Sequence, residues 1–233
     1  MKRTGGSDAA KRRAGEAAAD RVTDGQVVGL GTGSTAAHAI RALGRAVDAG
    51  LDIAGIPTSA AAREVAREAG VPLTSLADAR PDVAIDGADE VAASERGFDL
   101  LKGGGAAHAR EKYVDAAAAK LLVVADPTKL TETLTGPVTL AVLPEARPVV
   151  ADRVRALDGK PTLRAAERKD GPVVTDDGNL VLDCSFGPLA DPASLEAELS
   201  AIPGIVEHGL FVGLADTVFV GHEDGVEVRD GET

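Results

Sequence analysis

The sequence has no tryptophan, one tyrosine and four phenylalanines in 233 residues, so its hydrophobic core must be aliphatic, built from alanine, valine and leucine. Cysteine is almost as scarce. Cys184 stands alone, which excludes an intrachain disulfide framework and a cysteine metal cluster and makes the cytoplasm the default compartment. No apolar run approaches the length of a membrane span, and the polar stretch MKRTGGSDAAKRR lacks the apolar core of a secretion signal. Positive charge is in deficit too: 25 basic against 37 acidic residues leave a net charge of -12. That balance argues against a nucleic-acid or anionic-membrane partner. A small phosphorylated ligand is still compatible with it, because a lysine and backbone amides can meet such a ligand locally. The acid-dominated, arginine-rich composition also suits work at high salt, where screening relieves self-repulsion and carboxylates hold water.

What is present is ample for a buried core. Hydrophobic residues make up 44% of the chain, which excludes disorder and allows one large α/β domain or a main domain with a smaller companion. A helix is expected over residues 7–21, then a short strand Val27 to Leu30 that runs into Gly31-Thr32-Gly33-Ser34-Thr35 and a helix from about 34 to 47. The loop resembles a dinucleotide fingerprint only superficially. With Gly29 and Gly31 as the first glycines, position 34 is serine, and Asp52 opens the next strand where a ribose-binding acid would close it. The phosphate-loop ATPase pattern fails for want of a lysine before Ser34-Thr35. Hydroxyls and helix amides there can still hold an oxyanion.

The strand–helix rhythm continues with strands at 51–56 and 71–73 flanking a helix at 60–69. A strand at 81–85 then delivers Asp86-Gly87-Ala88-Asp89 to its C-terminal end, the usual ligand position in an open parallel sheet. Asp-Gly is also an ordinary turn signal. Next, Leu101 to Glu111 concentrates a lysine, three glycines and a carboxylate. The glycines permit close approach of backbone amides to a ligand, at an entropic cost. Taken alone, this stretch admits two readings: a binding loop opening a helix that carries Glu111 on its second turn and ends near Lys120, or a flexible surface turn before a solvated helix. A strand at 121–125 ends in Asp-Pro-Thr-Lys129, a fourth strand end with a polar group.

From about residue 130 the rhythm changes. Strands at 138–142 and 162–165, helices at 149–157 and from Asp191, and a hairpin turning near Asp177-Gly178 make a small α+β domain. Strands at 205–211, 217–220 and 226–228 close the chain, some rejoining the first domain. His38, His108, His208 and His222 show no metal-ligand spacing, and neither a metal nor a cofactor is expected. His108 reads as a packing or solvated helix residue and Cys184 as a small hydrophobe.

Four segments together, VGLGTGSTAAH (28–38), IDGADE (85–90), LKGGGAAHAREK (101–112) and VVADPTK (123–129), resemble the A-type ribose-5-phosphate isomerases, and VVTDDGNLVLD and AIPGIVEHGLF extend the likeness over nearly the whole chain. The resemblance implies a Rossmann-like catalytic domain over 1–129 and 205–233, with a smaller α+β, ferredoxin-like domain over 130–204. It also implies interconversion of ribose 5-phosphate and ribulose 5-phosphate without metal or cofactor, and a homodimer or homotetramer. By motif, Glu111 resembles the catalytic base. Thr32, Gly33, Ser34 and Thr35 resemble a sugar-phosphate loop, Asp86 through Asp89 an acidic loop, Lys102 and Gly103, Gly104 and Gly105 a glycine loop, and Lys129 a further substrate contact. Lys102, Asp86 and Asp89 join Glu111 as catalytic candidates. In this scheme Asp86 assists ring opening, Asp89 orients hydroxyls or Lys102, and the Gly104 and Gly105 amides meet developing charge. Lys11 is a further candidate near the phosphate, outside the matched motifs. A noncatalytic sugar-phosphate sensor and a coenzyme A transferase on a related fold are the competing readings; the glutamate and lysine favour the isomerase.

Overall fold

A computed structural model of the chain describes residues 6–168 and 170–231, so the outer domain limits at residues 1 and 233 lie outside the described residues. The first half alternates α1 (Asp8–Ala19), β1 (Val27–Leu30), α2 (Ser34–Asp48), β2 (Ala54–Pro57), α3 (Ala60–Glu68) and β3 (Val83–Gly87). A hairpin of β4 (Glu90–Ser94) and β5 (Gly97–Leu101) follows, then α4 (His108–Ala117), β6 (Lys120–Ala125) and the short β7 (Leu130–Thr131). The next block is β8 (Val138–Val142), α5 (Arg147–Ala156), β9 (Lys160–Leu163), β10 (Leu180–Ser185), α6 (Pro192–Ser200) and β11 (Ile205–His208). The last strands are β12 (Leu210–Val212), β13 (Thr217–Gly221) and β14 (Val226–Asp230).

The fold is α/β, organised on a six-stranded sheet of order β14-β13-β6-β3-β1-β2. All its pairings are parallel except β13 with β14. Strands β3 and β6 are covered on both faces, which is why they read as unbroken apolar runs. Val83, Ile85, Leu122 and Val124 pack with the alanine-rich α1 and with α2, whereas Ala84, Leu121 and Val123 face Leu100 and Phe211 on the other side. Each large aliphatic side chain so buried is worth about 1.5–3 kcal/mol. A slip of one residue would exchange the two faces, so the register is strongly specified.

The second sheet, β11-β8-β10-β9, is antiparallel throughout. With its helices it runs β8-α5-β9-β10-α6-β11, the ferredoxin-like βαββαβ order. A third sheet, β12-β5-β4-β7, stands beside the other two.

Several local expectations shift. The β4–β5 hairpin was not anticipated, because Glu-Val-Ala-Ala-Ser has weak alternation and becomes a strand only through its partners on β5 and β7. Residues 71–73 make a single bridge, Gly55 with Leu73, and no strand. The turn at Asp177-Gly178 exists, with Gly178 N–H donating to Thr175 at 2.9 Å. Its first arm makes only isolated bridges, since β8 and β9 occupy both sides of β10. Strand β11 pairs with β8, so the chain rejoins the parallel sheet at Thr217 rather than at Ile205. Helix α4 starts at His108, placing Glu111 in the first turn. Among the described residues no helix is long and apolar enough to cross a membrane.

Candidate active site

In the order β2-β1-β3-β6-β13 the chain reverses its direction of travel across the sheet after β2. The loops leaving β1 and β3 therefore diverge at their C-terminal ends and open a crevice. A cavity of about 230 Å³ lies there, lined by Thr32, Gly33, Ser34, Thr35, Gly87, Ala88, Asp89, Lys102, Gly103, Gly104, Gly105, Glu111 and Lys129, with Lys11 arriving from α1. Of the expected site residues only Asp86 is missing from this wall. Helix α2 begins at Ser34 and presents its first-turn amides to the cavity. Together with Lys11, Lys102 and Lys129 these amides bring positive charge to a cleft that also holds the carboxyls of Asp89 and Glu111.

Asp86 lies beneath the floor, 1% exposed. Its Oδ1 accepts the Thr32 and Gly87 N–H groups at 3.0 and 2.6 Å, and its Oδ2 is 3.0 Å from Lys102 Nζ. It thus ties the first loop, the second loop and the lysine together, where direct contact with a substrate ring had been expected. The close approach requires Gly31, because a Cβ there would lie 2.2 Å from Asp86 Oδ1. Asp89 does reach the cavity, and its Oδ2 accepts the Gly104 N–H at 2.7 Å. One of the two amides expected to face a substrate oxygen is therefore engaged by protein. Among the described residues the Gly105 amide has no such partner.

Lys102 and Glu111 meet at the buried end of this network, with Nζ to Oε2 at 3.5 Å. The ammonium also donates to the Gly87 carbonyl and lies 5.3 Å above the centre of the Phe211 ring. Burial lowers its pKa, but the carboxyls of Asp86, Glu111 and Asp115 outweigh that and raise it, so Lys102 stays charged. Burial drives Glu111 above the ordinary carboxylate range; Lys102 opposes the shift, and Asp86 and Asp89 add to it. A more basic glutamate beside a permanently charged lysine can take a proton from a carbon acid while the adjacent oxygen is stabilised.

A sequence model of the family described as ribose 5-phosphate isomerase A (phosphoriboisomerase A) matches residues 54–225. The chain belongs to this family. The ribose-5-phosphate isomerase A of Natronomonas pharaonis is 68% identical over 98% of this chain and 100% of that one, and the one from Haloarcula marismortui is 64% identical over 97% of each. The solved ribose 5-phosphate isomerase A of Methanocaldococcus jannaschii superposes with a TM-score of 0.90 at 40% identity, covering 94% of this chain and 97% of that one. A D-ribose-5-phosphate isomerase in complex with phospho-erythronic acid gives the same figures.

The isomerase holds several site groups that the motifs did not reveal. The Thr32 hydroxyl is fixed by Thr58 at 2.9 Å and Ser59 at 2.7 Å, at the end of β2 and the N-cap of α3. Their position after a strand was the available signal. Asp115, one helical turn beyond Glu111, is 3% exposed, and neither of its oxygens has a hydrogen-bond partner, whereas Asp86 Oδ2 is paired with Lys102 Nζ at 3.0 Å. Burial first, then the charge of Asp86, raises the Asp115 pKa well above 3.8, with Lys102 opposing and Glu111 adding, which favours a protonated Asp115 able to donate to Asp86.

This has a testable consequence for the isomerase's stability. A carboxyl whose pKa is higher folded than unfolded favours the fold fully below its unfolded pKa. That contribution is lost as pH rises towards the folded pKa, at about 1.4 kcal/mol per pH unit. Asp115→Asn keeps a donor for Asp86 and cannot ionise. Its unfolding free energy should exceed the parent's, by a margin that widens from pH 5 to pH 8. A margin that is constant or shrinks over that range would contradict a protonated Asp115.

Histidine and cysteine play no part in the cleft. Burial pushes His108 down to about 3, so it is neutral and packed. Burial and Asp183 push the Cys184 thiol up to about 12, leaving it inert.

Proposed function

We propose that this isomerase interconverts D-ribose 5-phosphate and D-ribulose 5-phosphate by proton transfer through a cis-enediolate, with Glu111 as the base. The observation that carries this is the buried Glu111–Lys102 contact at 3.5 Å in a cleft that also holds the α2 N-terminus and two further lysines. In the aldose-to-ketose direction Glu111 removes the C2 proton, and the C2–H electrons form the C1–C2 double bond while the carbonyl oxygen takes negative charge. Lys102 and the Gly105 amide stabilise that oxygen. The proton of the C2 hydroxyl passes to O1, C2 becomes the carbonyl, and Glu111 returns its proton to C1. One carboxylate serves both carbons because they are adjacent.

Asp89 reaches the cavity and is the better group to exchange a proton with the ring oxygen and to hold hydroxyls. Asp86 positions Lys102 from beneath. Thr32 through Thr35, Lys11 and Lys129 receive the phosphate. The related isomerase with phospho-erythronic acid, a sugar-acid phosphate, supports a ligand of that kind.

The test is direct turnover of ribose 5-phosphate to ribulose 5-phosphate in molar salt, beside ribose without its phosphate. A site that pairs buried donors with a phosphate rejects a substrate lacking it, so kcat/KM on ribose should be lower by roughly 10⁴-fold. Comparable rates on the two sugars would remove the phosphate assignment, and binding of ribose 5-phosphate without turnover would select a sensor.

A further inference from the structure

The glycine loop is held from outside the cleft by one side chain of the ferredoxin-like sheet. Arg164 follows β9 and does not line the cavity. Its Nη1 donates to the Gly103 carbonyl at 2.9 Å and to the Gly104 carbonyl at 3.4 Å. Its Nε donates to Asp183 Oδ2 at 2.8 Å, and its Nη2 donates to Asp183 Oδ1 and, at 3.1 Å, to Thr139 Oγ1. The five N–H groups of a guanidinium thus each have an acceptor. Asp183 is anionic: burial would raise its pKa, but the hydrogen bonds and charge of Arg164 bring it below the usual range. Thr139 also forms the wall behind Gly103, where φ is +111° and a Cβ would meet Thr139 at 2.7 Å.

In a planar trans peptide the C=O and N–H point in opposite directions, and the described chain has no cis peptide. Drawing the Gly103 and Gly104 carbonyls to one side therefore commits the Gly104 and Gly105 N–H groups to the other. That other side is the cleft: the Gly104 N–H meets Asp89, a cavity-lining residue, and Gly105 lines the cavity itself.

We propose that Arg164, braced by Asp183 and Thr139, is a positioning residue for the isomerisation, fixing the two glycine peptide planes so that the Gly104 amide stays on Asp89 and the Gly105 amide faces the reacting sugar oxygen. The inference rests on the enediolate reading of the same site. Without the clamp the Gly103–Gly104 plane keeps the Ala106 N–H on its carbonyl at 3.0 Å and Asp89 on its amide, but the Gly104–Gly105 plane loses its anchor and can flip, so preorganisation of the Gly105 donor is lost while the phosphate loop is untouched. Lysine cannot substitute, because a single ammonium nitrogen does not span Asp183, Thr139 and both carbonyls.

The experiment compares Arg164→Lys, Arg164→Ala and Asp183→Asn with the parent for kcat, for KM, and for competitive inhibition by inorganic phosphate. The expected result is a fall in kcat of roughly 10- to 100-fold, with phosphate inhibition within about twofold of the parent, and partial recovery of Arg164→Ala by added methylguanidinium. If Arg164→Ala does not fold, Arg164→Lys carries the same expectation. Parent-like kcat in Arg164→Lys, or equal losses of kcat and phosphate affinity in every folded variant, would overturn the proposal. Glu111→Gln measured in parallel separates the two failures: if it loses turnover as expected while Arg164→Lys keeps the parent's kcat, only the positioning role falls; if it turns over normally, the enediolate reading falls first.

Discussion

Glu111→Gln is expected to lower kcat by roughly 10²–10⁴-fold, the usual contribution of a positioned general base. The side chain is buried, in the first turn of α4, with Oε2 3.5 Å from Lys102 Nζ. Glutamine has the same shape and keeps an oxygen for the lysine, so the fold and the cleft should survive the change. Burial already penalises the charge on Glu111, so removing that charge should not destabilise the protein. KM and phosphate inhibition should move little, because the groups that receive the phosphate come from other elements. The decisive measurement is turnover alongside exchange of solvent deuterium into C1 of the ketose and C2 of the aldose. Turnover and exchange near the parent's rate would remove Glu111 as the base.

Lys102→Met should be nearly as damaging, with a loss in kcat of roughly 10²–10³-fold, the range seen when one donor to a developing oxyanion is removed. Methionine matches the unbranched stem and can lie against Phe211 as the lysine does. It provides no charge for the enediolate oxygen and none for the three carboxyls that now surround Lys102, those of Asp86, Glu111 and Asp115. Those carboxyls would hold protons more tightly, so Glu111 would also become a poorer base at neutral pH. The loss should fall on kcat. A variant with unchanged kcat and raised KM would show that Lys102 only binds the ground state.

Much of this site was legible before any coordinates because its parts are local. Gly31 through Thr35 follow β1 and Asp86 through Asp89 close β3, strands whose ends the hydrophobic period locates without reference to their neighbours, whereas Lys102 through Gly105 were legible only as a run of residue types. The hairpin β4–β5 was not legible for the opposite reason. Ala92 and Ala93 have no marked preference for extended structure, and they form a strand only because Asp99 and Phe98 stand across from them. Asp115 could have been found by counting one turn from Glu111, but its burial depends on how α4 packs against the sheet.

The sequence by itself determined the alternation of strands and helices, the aliphatic core, the family likeness and the short runs that carry Glu111, Lys102 and the glycines. These follow from periodicity, composition and residue type along a few consecutive positions. Only the tertiary structure decided that Asp86 lies under the floor while Asp89 reaches the cleft, that Asp115 shares its burial, and that Arg164 grips the glycine loop from 61 residues away. A hydrogen bond between distant segments depends on which strand stands beside which and on the direction each peptide plane faces, and neither is encoded in the spacing of neighbouring residues.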